Sequence, residues 1–256
     1  MMQDTPVFDG VGVALLTLFD ERGEVDLRAT ADHAATLVEL GMRAVVVGGT
    51  TGEATTLEPV ERRRLVEAVR DAVGSDAVVI AGTGAPSGRQ ASELTVQSRD
   101  AGADAALVLS PHRVADPRPY YEAVAKAAGD LPLLAYHFPA ASPPGIATQY
   151  LGDLPVVGMK DSTGDPERLM VELAEFPGHL YAGSSAILAF AGPMGCTGAI
   201  LALANARPEE CLAAFSADTE AQKALLGAHL EMRASFPQGI KALAAARFGT
   251  SRVTRL

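Results

Sequence analysis

Short apolar runs alternate with longer amphipathic segments along nearly the whole chain, and this alternation is typical of repeated strand–helix units that build a parallel sheet. Eight runs have the length and β-branched content of strands, and they lie at 12–17, 44–48, 77–82, 105–110, 133–137, 156–160, 180–183 and 198–203. Because the runs are apolar at nearly every position, they predict strands that are buried on both faces.

Between these runs, apolar residues recur at helical spacing and predict a coat of helices around the strands. In the segment 26–40 the apolar side chains share one face, and Gly41 follows at a position where helices end. The other segments with this spacing are 65–73, 87–101, 117–128, 165–176, 184–194 and 208–230.

Eight alternations without a long linker favour a single (β/α)8 TIM barrel, an α/β fold, over a doubly wound open sheet. The chain has 256 residues, and a barrel of this kind takes about 250. We therefore expect one TIM-barrel domain over 1–256, with the barrel at about 8–230 and a C-terminal helical segment at about 231–256.

Composition and charge narrow the possible partners. The formal net charge is -10 and the sequence pI is near 5.0, and no basic stretch interleaved with aromatic residues offsets this charge. We expect no binding to nucleic acid or to an anionic membrane. The start of the chain lacks a basic segment followed by an apolar one, and no uncharged run reaches membrane-spanning length, so a cytoplasmic protein is expected.

The two cysteines, Cys196 and Cys211, share no metal-type spacing with each other or with a histidine. We expect both to be reduced and structural. No cluster of histidine and glutamate follows the strand ends, which disfavours metal-dependent chemistry, and we expect neither a metal nor a cofactor.

Lys160 is the first candidate for chemistry, because it ends the apolar run 154–159. Catalytic groups of a barrel of this kind collect at the carboxyl ends of its strands. An amine in that position is partly stripped of water, which disfavours its charged form and leaves more free base to act as a nucleophile. The alternative is a lysine that extends from the strand end into solvent. For Lys126, Lys223 and Lys241 we expect a solvated charge on a helix face.

Tyr136 is the second candidate. It lies two residues after Leu134, on the same face of the fifth predicted strand, and one strand before Lys160. The two side chains should therefore point into the same mouth of the barrel. Taken alone, a tyrosine near a strand end is more often a packed ring with a solvated hydroxyl.

Five short motifs occur along the chain, two of them after the second and third predicted strands and three of them at the fifth, sixth and eighth. They are Gly49-Thr50-Thr51-Gly52-Glu53, Ala81-Gly82-Thr83-Gly84, Tyr136-x-x-Pro139, Gly158-x-Lys160-Asp161-Ser162 and Gly198-Ala199-Ile200. With these motifs the chain resembles the pyruvate-dependent class I aldolases and lyases grouped as the dihydrodipicolinate synthase and N-acetylneuraminate lyase family. The similarity covers about 8–256.

The resemblance implies a role for each matching residue. Lys160 corresponds to the lysine that forms a Schiff base with pyruvate, Tyr136 to the phenol that relays protons, and Thr50 to the hydroxyl beside it. Thr51 corresponds to the residue that holds the pyruvate carboxylate. Gly49, Gly183 and Ile200 are expected to lie against the substrate. The family also implies a homo-oligomer, a dimer or a tetramer.

The chain departs from the family pattern at three places. Where the best known synthases have a relay tyrosine, the sequence has Pro111-His112-Arg113-Val114. His112 could carry protons and Arg113 could bind an acidic substrate, or both could be ordinary loop residues. Where those synthases have an arginine for the second substrate, the sequence has Ala140-Ala141-Ser142. Family members usually continue beyond Leu256, so a shortened C-terminal helical extension is expected.

These observations predict a cofactor-free, Schiff-base-forming lyase or aldolase that cleaves or condenses a pyruvate unit with an aldehyde, with a substrate of the 2-keto-3-deoxy acid type. A 4-hydroxy-tetrahydrodipicolinate synthase is the alternative within the same class. A non-catalytic pyruvate or keto-acid binding protein is the alternative from another class.

Overall fold

The computed structural model describes residues 5–256, and its strands close into one parallel barrel. Each strand pairs with the next, and β8 pairs with β1. The strands are β1 (Gly10–Ala14), β2 (Ala44–Val47), β3 (Val78–Gly82), β4 (Ala105–Leu109), β5 (Leu133–His137), β6 (Gly158–Asp161), β7 (His179–Ala182) and β8 (Gly198–Leu201). The predicted (β/α)8 barrel and its eight strands are confirmed.

Alternate residues of the strands face two separate apolar clusters, because successive side chains of a strand point to opposite faces. The smaller cluster fills the barrel and includes Val46, Ile80, Leu134, Tyr136 and Ile200. The larger cluster lies between the strands and the helices. Both faces of the sheet are thus buried, as the continuous apolar runs predict.

Helices follow the strands and cover the outside of the barrel. They are α1 (Leu27–Glu39), α2 (Pro59–Val73), α3 (Gly88–Asp100), α4 (Arg118–Ala128), α5 (Pro166–Glu175), α6 (Leu188–Ala191), α7 (Pro208–Phe215), α8 (Thr219–Ala234) and α9 (Gln238–Phe248). Aspartate side chains cap the N-termini of α1 and α5. The Asp26 carboxylate accepts a hydrogen bond from the Ala29 N–H, and the Asp165 carboxylate accepts hydrogen bonds from two backbone N–H groups of α5. Gly41 follows α1 with a φ of 103°, as its predicted role requires.

Two predicted helices are wrong in extent. The segment 208–230 is not continuous, because α7 ends at Phe215 and α8 begins at Thr219. Ala217 has a φ of 73°, and Asp218 then caps α8 by accepting hydrogen bonds from the N–H groups of Glu220 and Ala221. In the segment 184–194 only Leu188–Ala191 is α-helical. Apolar spacing alone does not reveal such breaks.

The first strand also differs from its prediction, since β1 begins at Gly10 and ends at Ala14. The Leu15 N–H still donates a hydrogen bond to the Val46 carbonyl at 2.9 Å. Beyond it, Thr17 donates its hydroxyl hydrogen to the Gly52 carbonyl at 2.8 Å. The apolar run therefore continues past the strand into a buried connection that supports the loop after β2.

A buried ion pair joins the loop after β2 to the C-terminal part of the chain. The Lys241 Nζ lies 2.6 Å from the Glu53 Oε1, and neither side chain is exposed. The other carboxylate oxygen of Glu53 accepts hydrogen bonds from the Arg255 and Leu256 N–H groups at 2.7 and 3.1 Å. The prediction of a solvated Lys241 is wrong, because its partner lies far away in the sequence.

The division into a barrel at about 8–230 and a helical segment at about 231–256 stays a prediction, and α8 extends across that boundary. None of the helices within residues 5–256 has the length and apolar character needed to cross a membrane.

Candidate active site

A cavity of about 470 Å³ opens at the carboxyl-terminal ends of the strands. The strand ends contribute Tyr136, Lys160 and Gly183, and the loop after β2 contributes Thr50 and Thr51. The rest of the wall comes from the loops after β5, β6 and β7, from Ala202, and from α8 with the residues just after it. The structure thus brings together five of the residues that the sequence predicts for the site.

Lys160 is buried, with 4% of its surface exposed. Its Cα is paired with that of Tyr136 in the register of β5 and β6, and its Nζ lies 4.2 Å from the centroid of the Tyr136 ring. None of the ion pairs among residues 5–256 includes Lys160. A buried amine that faces a cavity without a carboxylate partner is free to react with a ligand.

Gly183 leaves the space that this amine needs. A methyl group added at Gly183 would lie 2.8 Å from the Lys160 Cε and also overlap the Ser162 hydroxyl. A side chain there would displace the lysine from its position. Gly183 therefore contributes by having no side chain, which leaves room for Lys160. The sequence motif does not reveal this role.

Tyr136 lies with its ring against the amine and its hydroxyl near another polar group. The Ser162 hydroxyl donates a hydrogen bond to the Tyr136 phenol oxygen at 3.4 Å. Tyr136 is 5% exposed. A phenol with a hydroxyl neighbour, beside an amine, is a chain of groups that can exchange protons.

The loop that carries Thr50 and Thr51 is held in a tight turn. The Gly52 N–H donates to the Gly49 carbonyl at 3.0 Å, and the Glu53 N–H donates to the Thr50 carbonyl at 3.1 Å. Thr50 and Thr51 reach the cavity. Gly49 shapes the turn but is not part of the cavity wall.

The acidic groups near Lys160 lie outside the cavity and organise the end of β6. The Asp161 carboxylate accepts hydrogen bonds from the N–H and hydroxyl of Thr163, each at 2.7 Å. Behind it, the Arg168 Nε lies 2.7 Å from the Glu172 Oε1. Burial, and then the neighbouring Asp161 charge, raises the pKa of Glu172 to about 8. None of these carboxylates lines the cavity.

Besides Gly49, three of the predicted site residues lie outside the cavity wall. Ile200 is fully buried in the cluster that fills the barrel, which also contains Tyr136. His112 and Arg113 are exposed and are not part of the cavity wall. The Arg113 N–H donates to the Pro143 carbonyl at 2.6 Å. The proposed roles of these three residues stay predictions.

The cavity wall also contains residues that the sequence prediction missed. Ser162 belongs to the motif that contains Lys160, so the sequence could have indicated it as a site residue. Ser185 follows the seventh predicted strand, where site residues are expected, whereas His229 and Arg233 gave no signal. His229 lies within the predicted helical segment 208–230, yet it is only 6% exposed and its Nδ1 lies 2.9 Å from the Ser185 hydroxyl.

The barrel has a buried lysine beside a phenol at its carboxyl-terminal mouth, and this lysine has no ion-pair partner among residues 5–256. These features define a class of proteins with a candidate covalent site for carbonyl compounds. The family model described as the dihydrodipicolinate synthetase family matches residues 7–242. The chain belongs to this family, and the resemblance inferred from its motifs is confirmed.

Individual relatives agree with this assignment. The chain is 43% identical over 176 residues to a 4-hydroxy-tetrahydrodipicolinate synthase of Synechococcus sp., a match that covers 66% of this chain and 58% of the relative. It is 35% identical to an uncharacterised DapA-like lyase of Halobacterium salinarum over 90% of this chain and 80% of that one. The match to the first relative spans less than two thirds of its length.

Among solved structures, the dihydrodipicolinate synthase of Acinetobacter baumannii, complexed with pyruvate, has a TM-score of 0.82 and 30% identity to this chain. The match covers 93% of this chain and 87% of the other.

Proposed function

We propose that the protein is a Schiff-base-forming lyase that cleaves or condenses a pyruvate unit with an aldehyde. The observation that carries the proposal is the buried Lys160 amine, which faces the cavity beside Tyr136 and has no carboxylate partner among residues 5–256. Membership of the dihydrodipicolinate synthetase family supports the same class of reaction.

In this reaction the Lys160 Nζ attacks the keto carbon of pyruvate. The resulting carbinolamine loses water to give an iminium, which withdraws electrons from the adjacent methyl carbon. Loss of a methyl proton gives an enamine, whose carbon attacks the aldehyde, and the aldehyde oxygen takes up a proton as the new bond forms. Hydrolysis of the product iminium returns the free amine. Cleavage follows the same steps in reverse.

Tyr136 is proposed to carry the protons of these steps, because its ring lies against the amine. The Ser162 hydroxyl, which donates to the phenol oxygen, extends the path for protons by one group. Thr51 is proposed to bind the pyruvate carboxylate, with Thr50 beside Tyr136. The pyruvate bound by the Acinetobacter baumannii relative supports this choice of keto acid.

Two alternatives to this proposal have some support. A 4-hydroxy-tetrahydrodipicolinate synthase is supported by the name of the Synechococcus relative. A keto-acid binding protein without turnover is supported by the stretch His112-Arg113, which stands where the best known synthases have their relay tyrosine.

Treatment of the protein with pyruvate and borohydride tests the proposal. We expect one reduced pyruvate per chain, located by mass spectrometry on the peptide that contains Lys160, and none when pyruvate is omitted. Labelling without turnover on a panel of aldehydes would favour the binding protein. Absence of labelling would exclude both the lyase and the binding protein.

Replacement of Tyr136 by phenylalanine should keep the ring and remove the proton carrier. We expect slow formation of the pyruvate adduct and a loss of about 10² to 10⁴-fold in kcat, the usual contribution of general acid–base catalysis. Tyr150→Phe is the control, because Tyr150 stacks under the Arg118 guanidinium outside the cavity. Normal turnover by Tyr136→Phe would disprove the assignment of Tyr136 as proton relay.

Assembly and location also stay proposals. The family assignment supports a dimer or tetramer, and the composition supports a cytoplasmic location.

A further inference from the structure

Tyr136 takes up and gives back protons in the proposed reaction, so a second group has to exchange protons with it. Imidazole is the side chain best suited to this task, because it titrates near neutral pH. Within residues 5–256, His229 is the histidine that lines the cavity, and neither aspartate nor glutamate lines it. His229 is therefore the candidate for this second group.

His229 is held in a defined position by a serine. Its Nδ1 lies 2.9 Å from the Ser185 hydroxyl, and the two residues are only 6% and 3% exposed. The side chain of Gln222 joins α8 to the segment after β7. Its Nε2 donates to the Ser185 carbonyl at 2.9 Å, and its Oε1 accepts from the Ala189 N–H at 3.0 Å. The imidazole and the hydroxyl thus form a fixed pair in the cavity wall.

The other ring nitrogen of His229 is open. Among residues 5–256 the His229 Nε2 has no hydrogen-bond partner, and this atom is not sealed off from solvent. His137 differs, since it lies outside the cavity wall and its Nδ1 accepts the Ile146 N–H at 2.8 Å. Burial, and then the charge of Arg233, lowers the pKa of His229. The neutral ring is therefore able to accept a proton at one nitrogen and release one at the other.

Hydroxyl groups extend from Tyr136 towards this pair along the ends of β5, β6 and β7. The Ser162 hydroxyl donates to the Tyr136 phenol oxygen at 3.4 Å. It lies directly against Gly183, where an added methyl group would overlap it, and Ser185 follows Gly183 by two residues. Ser162 and Ser185 both line the cavity, so water in the cavity is able to join their hydroxyls.

We propose that His229, paired with Ser185, is a second proton carrier of the site and connects Tyr136 with solvent. When the Tyr136 phenolate takes a proton from the methyl group of the pyruvate iminium, an enamine and a neutral phenol are formed. The phenol passes a proton through the hydroxyls of Ser162 and Ser185 to the neutral imidazole, and each hydroxyl gives one proton and receives another. The imidazolium then releases a proton to water at Nε2.

This inference rests on the proposed lyase function, because it assigns the route of the protons in that reaction. It also predicts what happens without the route. A phenol that is cut off from solvent returns the same proton to the enamine, so the methyl group of pyruvate keeps its hydrogens even though the adduct forms.

Hydrogen exchange of pyruvate in D2O tests the proposal without an aldehyde, and NMR follows the loss of the methyl signal. We expect His229→Asn to slow the exchange by about 10²-fold, while the amount of pyruvate trapped by borohydride stays unchanged. Asparagine places a polar atom near the position of Nδ1, so the contact with Ser185 is kept and the acid–base group is lost.

Added imidazole distinguishes proton transfer from a structural role. We expect it to restore exchange in His229→Ala, where it can occupy the space of the lost ring, and to leave the wild type and Tyr136→Phe unchanged. A helix displaced from the barrel mouth would not be repaired by a free base. Ser185→Ala should slow exchange as His229→Asn does, and the double variant should be no slower, because the two residues act in one path.

His179→Asn is the matched control. The His179 Nδ1 also lies near a hydroxyl, that of Thr197 at 3.5 Å, but His179 is at the start of β7 and outside the cavity wall. The variant should leave both exchange and trapping unchanged.

The outcomes separate this inference from the proposed function. Normal exchange in His229→Asn, or a loss of exchange in His229→Ala that imidazole does not restore, would overturn the role of His229 and leave the lyase intact. Wild-type trapping without exchange would overturn it as well. Absence of trapped pyruvate in the wild type would instead refute the lyase, and the inference with it.

Discussion

Replacement of Lys160 by methionine should abolish the trapped pyruvate adduct and lower kcat by about 10³-fold or more, since the covalent route is lost. Methionine retains an unbranched, apolar side chain but has no nitrogen to attack the keto group. Mass spectrometry after borohydride treatment measures the adduct, and aldol cleavage or condensation measures the rate. Wild-type labelling in this variant would exclude Lys160 as the nucleophile.

The same variant should not be less stable than the wild type. Lys160 is 4% exposed and has no carboxylate partner within the described residues 5–256, so its replacement removes a mostly buried amine that no ion pair stabilises. We expect an unchanged or higher melting temperature. Lys126→Met is the control, because Lys126 is exposed on α4 and its loss should affect neither labelling nor rate.

Replacement of Lys241 by methionine should destabilise the fold by about 3–5 kcal/mol, because it leaves the Glu53 carboxylate buried without its cation. Both side chains are fully buried, and the Lys241 Nζ also lies 4.3 Å from the centroid of the Phe19 ring. For a chain of this size the loss corresponds to a fall in melting temperature on the order of 10 °C. Thermal and urea denaturation measure it.

Two comparisons identify the cause of that loss. The double variant Glu53→Gln with Lys241→Met should be more stable than the sum of the single effects predicts, because the unpaired charge is gone. Lys223→Met removes an ion pair with Glu220 in which both side chains are largely exposed, and it should change stability by less than about 0.5 kcal/mol. Equal effects of Lys241→Met and Lys223→Met would contradict the buried pair.

The position of the ion pair connects stability with the site. Glu53 follows Thr50 and Thr51 in the same turn, and its carboxylate holds the N–H groups of Arg255 and Leu256. The Arg255 guanidinium in turn pairs with Glu61 of α2 at 2.7 Å. The C-terminal segment therefore supports the loop proposed to bind the pyruvate carboxylate through residues that are not part of the cavity wall.

Much of the fold follows from local sequence patterns. Continuous apolar runs predict doubly buried strands, and the alternation with helical segments predicts their closure into a barrel. The side-chain alternation that aligns Leu134 with Tyr136 correctly predicts that Tyr136 points into the barrel beside Lys160. These predictions hold because burial and strand period are properties of neighbouring residues, and a regular barrel leaves few other ways to connect such units.

The errors have a common cause. Lys241 and Glu53 are 188 positions apart in the sequence, and each alone has the pattern of an ordinary polar residue. The break between α7 and α8 depends on the left-handed backbone conformation of Ala217. Alanine is not a residue type that predicts this conformation. His229 is buried because α8 lies against the mouth of the barrel, which helical spacing does not reveal.

The sequence by itself determined the barrel, the family and the candidate pair of Lys160 and Tyr136. The barrel follows from a pattern that is repeated at each strand, and the family and the pair follow from short motifs at the strand ends. Only the tertiary structure decided that Ser185, His229 and Arg233 complete the cavity wall and that Glu53 is neutralised by Lys241. Such contacts depend on how distant segments pack, and side-chain identity specifies them only after the chain has folded.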